Sequence, residues 1–119
     1  MLTKKQIDQI ALSFPETDQS PHFEIISYRV AKKIFSTLNM PEKRVTLKLN
    51  AEYQDLYTAI GKGKIYRVPN AWGKFGWTTF ELSQIKYDLL QDAMLIAWRL
   101  TSPKKFIKQY PDWFKDDPS

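Results

Sequence analysis

Three strand-like segments with short connections constrain the fold of this 119-residue chain more than any other feature. They run from Ile25 to Val30, from Ile34 to Asn39 and from Arg44 to Asn50, and they alternate or concentrate apolar, β-branched and aromatic residues. Only three residues separate the first two segments, and four separate the second from the third. Because connections of this length join antiparallel neighbours, the sequence predicts a sheet that contains three adjacent antiparallel strands.

Helical periodicity surrounds these strands. Thr3 and Gln6 form a capping box before an apolar stripe that ends at Pro15, which predicts a first helix. Asn50 is expected to cap a second helix, with Gly61 as its left-handed stop. The stripe of this helix consists of Tyr53, Leu56, Tyr57 and Ile60.

The remaining segments are predicted as follows. A loop is expected from Glu16 to Pro21, and two further strands are expected from Ile65 to Val68 and from Gly76 to Leu82. A long central helix follows, capped by Ser83. Its predicted buried stripe consists of Ile85, Leu89, Ala93, Ala97 and Leu100, flanked by Leu90, Met94 and Ile96. The last helix has Ser102 as N-cap and Pro103 at its first position, and the tail contains Asp112, Asp116 and Asp117.

Length and composition predict a single domain over residues 1–119. With 43% hydrophobic and 14% aromatic residues, the chain can bury one core, and its composition lies outside the range of disordered segments. Cysteine is absent, which excludes disulfides and thiol chemistry and is compatible with the reducing cytosol. Neither a signal peptide nor a membrane span is visible, so we expect a soluble cytoplasmic protein without a membrane partner.

Four segments have a distinctive composition and order. They are Tyr28-Arg29-Val30 with Lys33-Ile34-Phe35, Val45-Thr46-Leu47-Lys48, Ala71-Trp72-Gly73-Lys74-Phe75-Gly76-Trp77-Thr78, and Ala97-Trp98-Arg99-Leu100 with Pro103-Lys104-Lys105. Together they resemble the MmcQ/YjbR family of small, mostly bacterial proteins, over nearly the whole chain. The resemblance implies an α+β domain, an antiparallel sheet packed by helices, in an arrangement likened to a double-wing DNA-binding motif. The chain departs from the family pattern at Glu16 and Lys32, where glycine is common.

Basic residues are concentrated in the middle of the chain. The segment from Arg29 to Lys74 carries ten of the 18 basic residues and three of the 13 acidic ones, which gives it a net charge of 10 − 3 = +7. Alternation places Arg44, Thr46 and Lys48 on the face of their strand opposite the core. The candidate nucleic-acid-binding residues are Arg29, Lys32, Lys33, Arg44, Lys48, Lys62, Lys64, Arg67 and Lys74. We expect Arg29, Lys33, Arg44, Lys48 and Arg67 to share one exposed surface that contacts phosphates. The alternative is a solvated face that favours solubility.

Aromatic residues form a second candidate site. Tyr66, Trp72 and Trp77 could line a ligand pocket or stack on bases, whereas aromatic residues beside glycines more often close a core. On the core interpretation, Trp77 and Trp98 are predicted to be buried and in contact. The strands from Ile65 to Val68 and from Gly76 to Leu82 are expected to be joined by a loop from Pro69 to Phe75, and if this loop is partly open, Trp72 is the residue expected to face a ligand.

No catalytic constellation is recognisable. The single histidine, His22, lies in a polar segment without metal-ligand spacing, and the four glycines fit no phosphate-binding motif. We therefore expect a non-enzymatic DNA-binding protein without metal or cofactor, which contacts phosphates through a basic strand and hairpin surface. Two alternatives remain: a module that binds small molecules or acidic proteins through the pocket around Trp72 and Trp77, and an enzyme that uses Lys, Tyr or carboxylates.

Overall fold

The protein folds as an α+β domain in which helices pack on a six-stranded antiparallel sheet. The structure is a computed structural model and describes residues 1–115, so Asp116 and Asp117 of the predicted tail lie outside it. In chain order the elements are α1 (Lys4–Ala11), β1 (Thr17–His22), β2 (Ile25–Val30), β3 (Lys33–Asn39), β4 (Arg44–Lys48), α2 (Ala51–Gly61), β5 (Ile65–Arg67), α3 (Ala71–Lys74), β6 (Trp77–Glu81), α4 (Tyr87–Thr101) and α5 (Phe106–Gln109). Short 3₁₀ turns occupy Leu82–Gln84 and Pro111–Phe114.

The strands lie in the order β1-β2-β3-β4-β6-β5, and every neighbouring pair is antiparallel. This confirms the prediction that the segments which form β2, β3 and β4 are adjacent. β6 lies beside β4, and its register pairs Val45 with Phe80. Both side chains are therefore buried in the core, which stabilises this pairing. The tight turn between β2 and β3 consists of Ala31 and Lys32, both with positive φ, as two-residue hairpin turns require.

The edge strand β1 corrects the predicted loop from Glu16 to Pro21. Its sequence is polar throughout, so it lacks the apolar alternation that identifies a strand. It forms because β2 offers its edge, and Pro21 is tolerated because proline on an edge strand need not donate to a second neighbour. Backbone pairing with β2, together with the Asp18–Arg29 ion pair, therefore forms this strand without an apolar pattern.

The caps of the first two helices agree with the sequence, but the stop of α2 does not. Thr3 and Gln6 form the predicted capping box, and the side chain of Asn50 accepts a hydrogen bond from the Tyr53 amide at 2.9 Å. The left-handed residue is Lys62, with φ +47°, instead of Gly61. Gly61 is needed for a different reason, because a Cβ there would overlap the side chain of Ile65 as the chain turns into β5.

The rest of α2 and the long helix α4 also differ from the prediction. Leu56 and Ile60 of the predicted α2 stripe are exposed. α4 begins at Tyr87, and Ser83 lies in the preceding 3₁₀ turn. The buried stripe of α4 consists of Leu90, Ala93, Met94, Ala97 and Trp98, whereas Leu100 is exposed. Ala93 and Ala97 are thus buried as predicted, and the buried stripe shifts toward Leu90 and Met94, which were expected only to flank it.

Ser102 ends α4 and does not begin the last helix. Its hydroxyl donates a hydrogen bond to the Trp98 carbonyl at 2.7 Å, and its amide bonds the same oxygen. The predicted helix start at Ser102 and Pro103 is therefore wrong, and α5 begins at Phe106. In the described part of the chain, none of the helices combines the length and the apolar run that crossing a bilayer requires.

The core lies between one face of the sheet and the helices. Inward-pointing residues such as Leu38, Leu47 and Phe80 are fully buried beneath α2 and α4. At the far end of α4, the ring of Trp98 packs against Phe14 and Phe106 with centroids 5.9 and 6.2 Å away. The other side of the sheet, which we call the open face, carries the alternate residues of each strand.

Candidate nucleic-acid interface

The open face has the alternation that the sequence predicts for β4. Val45 and Leu47 are fully buried, while Arg44, Thr46 and Lys48 point to the opposite side. Strand register extends this face across the sheet, because directly paired residues lie on the same side. One row across the six strands consists of Ser20, Ser27, Thr37, Thr46, Thr79 and Tyr66. Each side chain in this row carries a hydroxyl, so the middle of the open face is polar but uncharged.

Two adjoining hollows form a groove at one end of the open face. The larger, the Lys48 hollow, has a volume of about 470 Å³. It is lined by Lys33, Ile34, Lys48, Leu49, Asn50, Trp77, Leu100 and Thr101. The smaller, the Trp72 hollow, has a volume of about 290 Å³. It is lined by Ile34, Thr37, Thr46, Val68, Trp72 and Trp77. Because Ile34 and Trp77 line both, the two hollows lie side by side, and we refer to them together as the groove.

Trp72 and Phe75 before β6 and Trp77 at its first position are therefore not core residues. Trp72 is 61% exposed, Phe75 is 67% exposed, and Trp77 is half-buried on the open face. The prediction that Trp77 contacts Trp98 is wrong, because the two side chains lie on opposite sides of the sheet. The burial of Trp98 is confirmed at 0% exposure. Tyr66 also points to the open face but lines neither hollow.

Trp72 is exposed but its backbone is firmly held. The Asn70 side chain caps α3 by accepting a hydrogen bond from the Trp72 amide at 2.8 Å. The buried amide of Gln54 donates to the Gly73 carbonyl at 3.0 Å. Gly73 itself lies so close to the Val68 carbonyl that a Cβ would overlap it. These contacts fix the short helix against β5 and β6 and hold the Trp72 ring at the groove.

A lysine accompanies the second tryptophan. The Lys48 ammonium lies 5.5 Å from the centroid of the Trp77 ring, within the range of a cation–π interaction. Lys33 lines the same hollow. No carboxylate is among the described residues that line the groove, so its field is positive.

The nine predicted basic residues do not form one surface. Arg67 lies on the helix side of the sheet, where its guanidinium bonds Asp55 of α2 at 3.0 Å, so its expected place on the shared surface is wrong. Arg44 is at the end of β4 opposite Lys48, which places it away from the Lys32–Lys33 turn. Lys62 and Lys64 border a separate hollow beside Lys86. Lys74 is exposed at the end of α3.

Ion pairing separates the arginines from the lysines. Arg29 bonds Asp18 at 2.8 Å, and Arg44 bonds Glu42 at 2.8 Å and Glu81 at 3.1 Å. In contrast, the six lysines of the set form no ion pair within residues 1–115. The cations available to an external anion on the open face are therefore the lysines beside the groove.

Hydrogen bonding dominates the far end of the open face. The Tyr66 hydroxyl donates to the Glu81 carboxylate, which also accepts from Arg44. Burial and this hydrogen bond raise the pKa of Tyr66, so the hydroxyl stays protonated well above neutral pH. Burial likewise raises the pKa of Tyr57 to about 12. Both shifts move the pKa of the tyrosine further above neutral pH, whereas acid–base catalysis needs groups whose pKa lies near it.

His22 is exposed beside the β1–β2 turn, with its ring 4.6 Å from that of Phe23. Among residues 1–115, no three His, Asp or Glu side chains come together as a possible metal site.

Sequence reasoning missed three residues that form the floor of the groove. Ile34, Thr37 and Val68 appeared only as ordinary strand residues, although Ile34 is 40% exposed at the centre of the groove. The residue partners of Thr46 across the sheet could have identified Thr37, but only after the strand register was known.

The comparisons with known proteins agree on the fold. A family model described as YjbR matches residues 12–100. The crystal structure of Deinococcus radiodurans protein DR2400, with family-model domain DUF419, is similar with a TM-score of 0.72 and 16% sequence identity, covering 92% of this chain and 88% of that chain. None of the curated proteins matches the chain significantly. At this identity the structural similarity shows the α+β fold alone.

Proposed function

We propose, from the premise that the chain belongs to the YjbR family, that it is a non-enzymatic DNA-binding protein of the cytoplasm. The groove would contact phosphates through Lys33 and Lys48, with Lys32 in the adjacent turn. The observation that supports this most is the groove itself, whose lining includes two lysines that form no ion pair within residues 1–115 and an aromatic ring beneath one of them. Such a site attracts a polyanion and offers it a surface on which to pack.

The arginines are expected to contribute less than the sequence suggested. A phosphate that approached Arg29 or Arg44 would compete with Asp18, Glu42 and Glu81 for the same guanidinium groups. The number of phosphates neutralised is then about two or three, and the affinity is in the micromolar range or weaker at physiological salt.

A non-enzymatic role is consistent with the titratable groups at the far end of the open face. The pKa values of Tyr66 and Arg44 are both raised, the first by burial and the second by the nearby Tyr66 and Glu81. Because both pKa values lie above their ordinary values, neither side chain exchanges a proton readily at neutral pH.

The salt dependence of binding tests the proposal. We expect labelled DNA to bind with an affinity that falls between about 50 and 200 mM salt, and the double variant Lys33→Ala/Lys48→Ala to reduce the logarithmic slope by about two units. The matched control is Lys62→Ala/Lys64→Ala, which removes the same charge at a different hollow. An equal loss in both variants would attribute binding to net charge, and absence of binding at low salt would refute the proposal.

A second candidate function rests on the Trp72 hollow. Its lining is mostly apolar and its volume, about 290 Å³, is near the lower end for ligand pockets. A small aromatic molecule would bind there with little dependence on salt, whereas an acidic protein would share the salt dependence of DNA. Calorimetric titration in low and high salt separates these outcomes, and Trp72→Ala should abolish the small-molecule signal.

A further inference from the structure

We infer that the groove takes a single-stranded segment of nucleic acid, with bases stacked on Trp72 and Trp77 and phosphates held by Lys33 and Lys48. This inference rests on the proposed function and specifies its ligand. A sheet surface with exposed aromatic side chains and neighbouring cations is a common solution for binding unpaired bases, because every base offers a flat face regardless of sequence.

The exposure of Trp72 is the first observation behind this inference. A tryptophan that is 61% exposed leaves apolar ring surface in water, which is unfavourable unless a partner covers it. Yet the backbone beneath it is held by the Asn70 cap, by the buried amide of Gln54 and by the close approach of Gly73 to Val68. The ring is therefore presented from a fixed support, which lowers the entropy cost of stacking a base on it.

The spacing of cation and ring is the second observation. Lys48 lies over the Trp77 ring, and Lys33 lines the same hollow from the neighbouring strand β3. A base that stacks in the groove would bring its phosphates beside these ammonium groups. Ile34, exposed between the two hollows, adds apolar surface that a base or sugar can cover.

Charge distribution favours a single strand over a duplex. A duplex hides the faces of its bases, so neither tryptophan could stack on them, and its charge would extend across the whole open face. At the far end that face carries Glu81 and Glu42 around Arg44. A short unpaired segment confined to the groove avoids these carboxylates. The hydroxyls of Thr37 and Thr46 on the groove floor can serve as donors or acceptors for any base.

Oligonucleotides that differ only in their bases test the inference. The probes are a labelled thymidine oligonucleotide of about 12 nucleotides, an abasic deoxyribose-phosphate strand of the same length, and the matching duplex. We expect the thymidine strand to bind most tightly, and the abasic strand to bind about 5- to 100-fold more weakly because it retains phosphates without stacking. Quenching of tryptophan fluorescence should accompany binding of the thymidine strand only.

Substitutions locate the stacking. Trp72→Ala should weaken binding of the thymidine strand about 5- to 100-fold and leave binding of the abasic strand unchanged. The control is Phe75→Ala, because Phe75 is 67% exposed on the same segment but does not line the groove. Trp77→Phe retains a ring and should lose less than Trp72→Ala.

The failures are distinguishable. If the abasic strand binds as tightly as the thymidine strand and Trp72→Ala has no effect, stacking is refuted while phosphate binding stands. If the duplex binds more tightly than the thymidine strand, the choice of a single strand is refuted. If none of the three probes binds at low salt, the proposed function fails and this inference fails with it.

Discussion

The two sides of the sheet use the same residue type in opposite ways. On the covered side, Trp98 is fully buried, its ring contacts Phe14, Phe106 and Phe114, and its indole donates a hydrogen bond to the Pro15 carbonyl at 3.1 Å. On the open side, Trp72 is mostly in solvent at the end of a groove. Trp98 stabilises the fold, whereas Trp72 is accessible to a binding partner.

The comparison shows that Trp72 is exposed because contacts of its backbone hold it away from the core. Trp98 belongs to the regular stripe of α4, so it is buried when the helix packs on the sheet. Trp72 lies on a four-residue helix whose position depends on close backbone contacts at Gly73 and Gly76. The chain thus uses glycines and a buried glutamine to hold an apolar ring out of the core.

The largest expected effect is on stability, and it should separate the two tryptophans. Trp98→Ala removes a fully buried ring and is expected to lower the free energy of unfolding by about 3 to 5 kcal/mol. Trp72→Ala should change it by no more than about 0.5 kcal/mol, as for other surface substitutions. Urea denaturation followed by circular dichroism measures both. Equal midpoints for the two variants would contradict the assignment of Trp98 to the covered side of the sheet and of Trp72 to the open face.

An intermediate effect is expected at the glycines that position the open side. Gly76 has φ +98°, and a Cβ there would overlap the Leu49 carbonyl, so Gly76→Ala should cost about 2 to 4 kcal/mol through strain and overlap together. Gly63 is the matched control, because its φ of +93° is similar but its surroundings are open. Gly63→Ala should cost about 1 kcal/mol. A control variant as unstable as Gly76→Ala would show that conformation alone, without close packing, sets the cost.

The smallest expected effect is the pH dependence of the covered side. Burial raises the pKa of Tyr57 from 10.0 to about 12, so the folded state holds this proton after the unfolded state has lost it. The resulting stabilisation is complete below pH 10.0 and is lost as the pH rises toward 12. Tyr57→Phe should therefore lose stability less steeply in this range. Part of the slope should remain, because burial and Asp8 also raise the pKa of Tyr28. Denaturation midpoints at several alkaline pH values, each normalised to neutral pH, test the difference, and identical slopes would refute it.

Much of the fold could be predicted, because its signals are local. The capping box at Thr3, the cap at Asn50 and the short connections between β2, β3 and β4 depend on residues a few positions apart. The alternation of β4 likewise placed Thr46 and Lys48 on the open face. The sequence predicted an exposed Trp72 only for the case in which the loop from Pro69 to Phe75 is partly open.

The rest of the candidate site depended on contacts distant in sequence. Arg29 pairs with a carboxylate 11 residues away and Arg44 with one 37 residues away, so the clustered charge in the sequence overstated the free charge of the surface. Trp77 and Trp98 were expected to meet, but strand alternation in β6 turns Trp77 to the open face.

The sequence by itself determined the helices α1, α2 and α4, the pairing of the central strands and the family, because hydrogen-bonding caps, turn lengths and side-chain alternation act within a few residues. Tertiary structure alone decided that the polar segment Thr17–His22 becomes a strand, that Lys62 replaces Gly61 as the left-handed stop, and which lysines form no ion pair among residues 1–115. These outcomes depend on what the neighbouring strand or helix offers once packed. That information arises only when segments far apart in the chain come into contact.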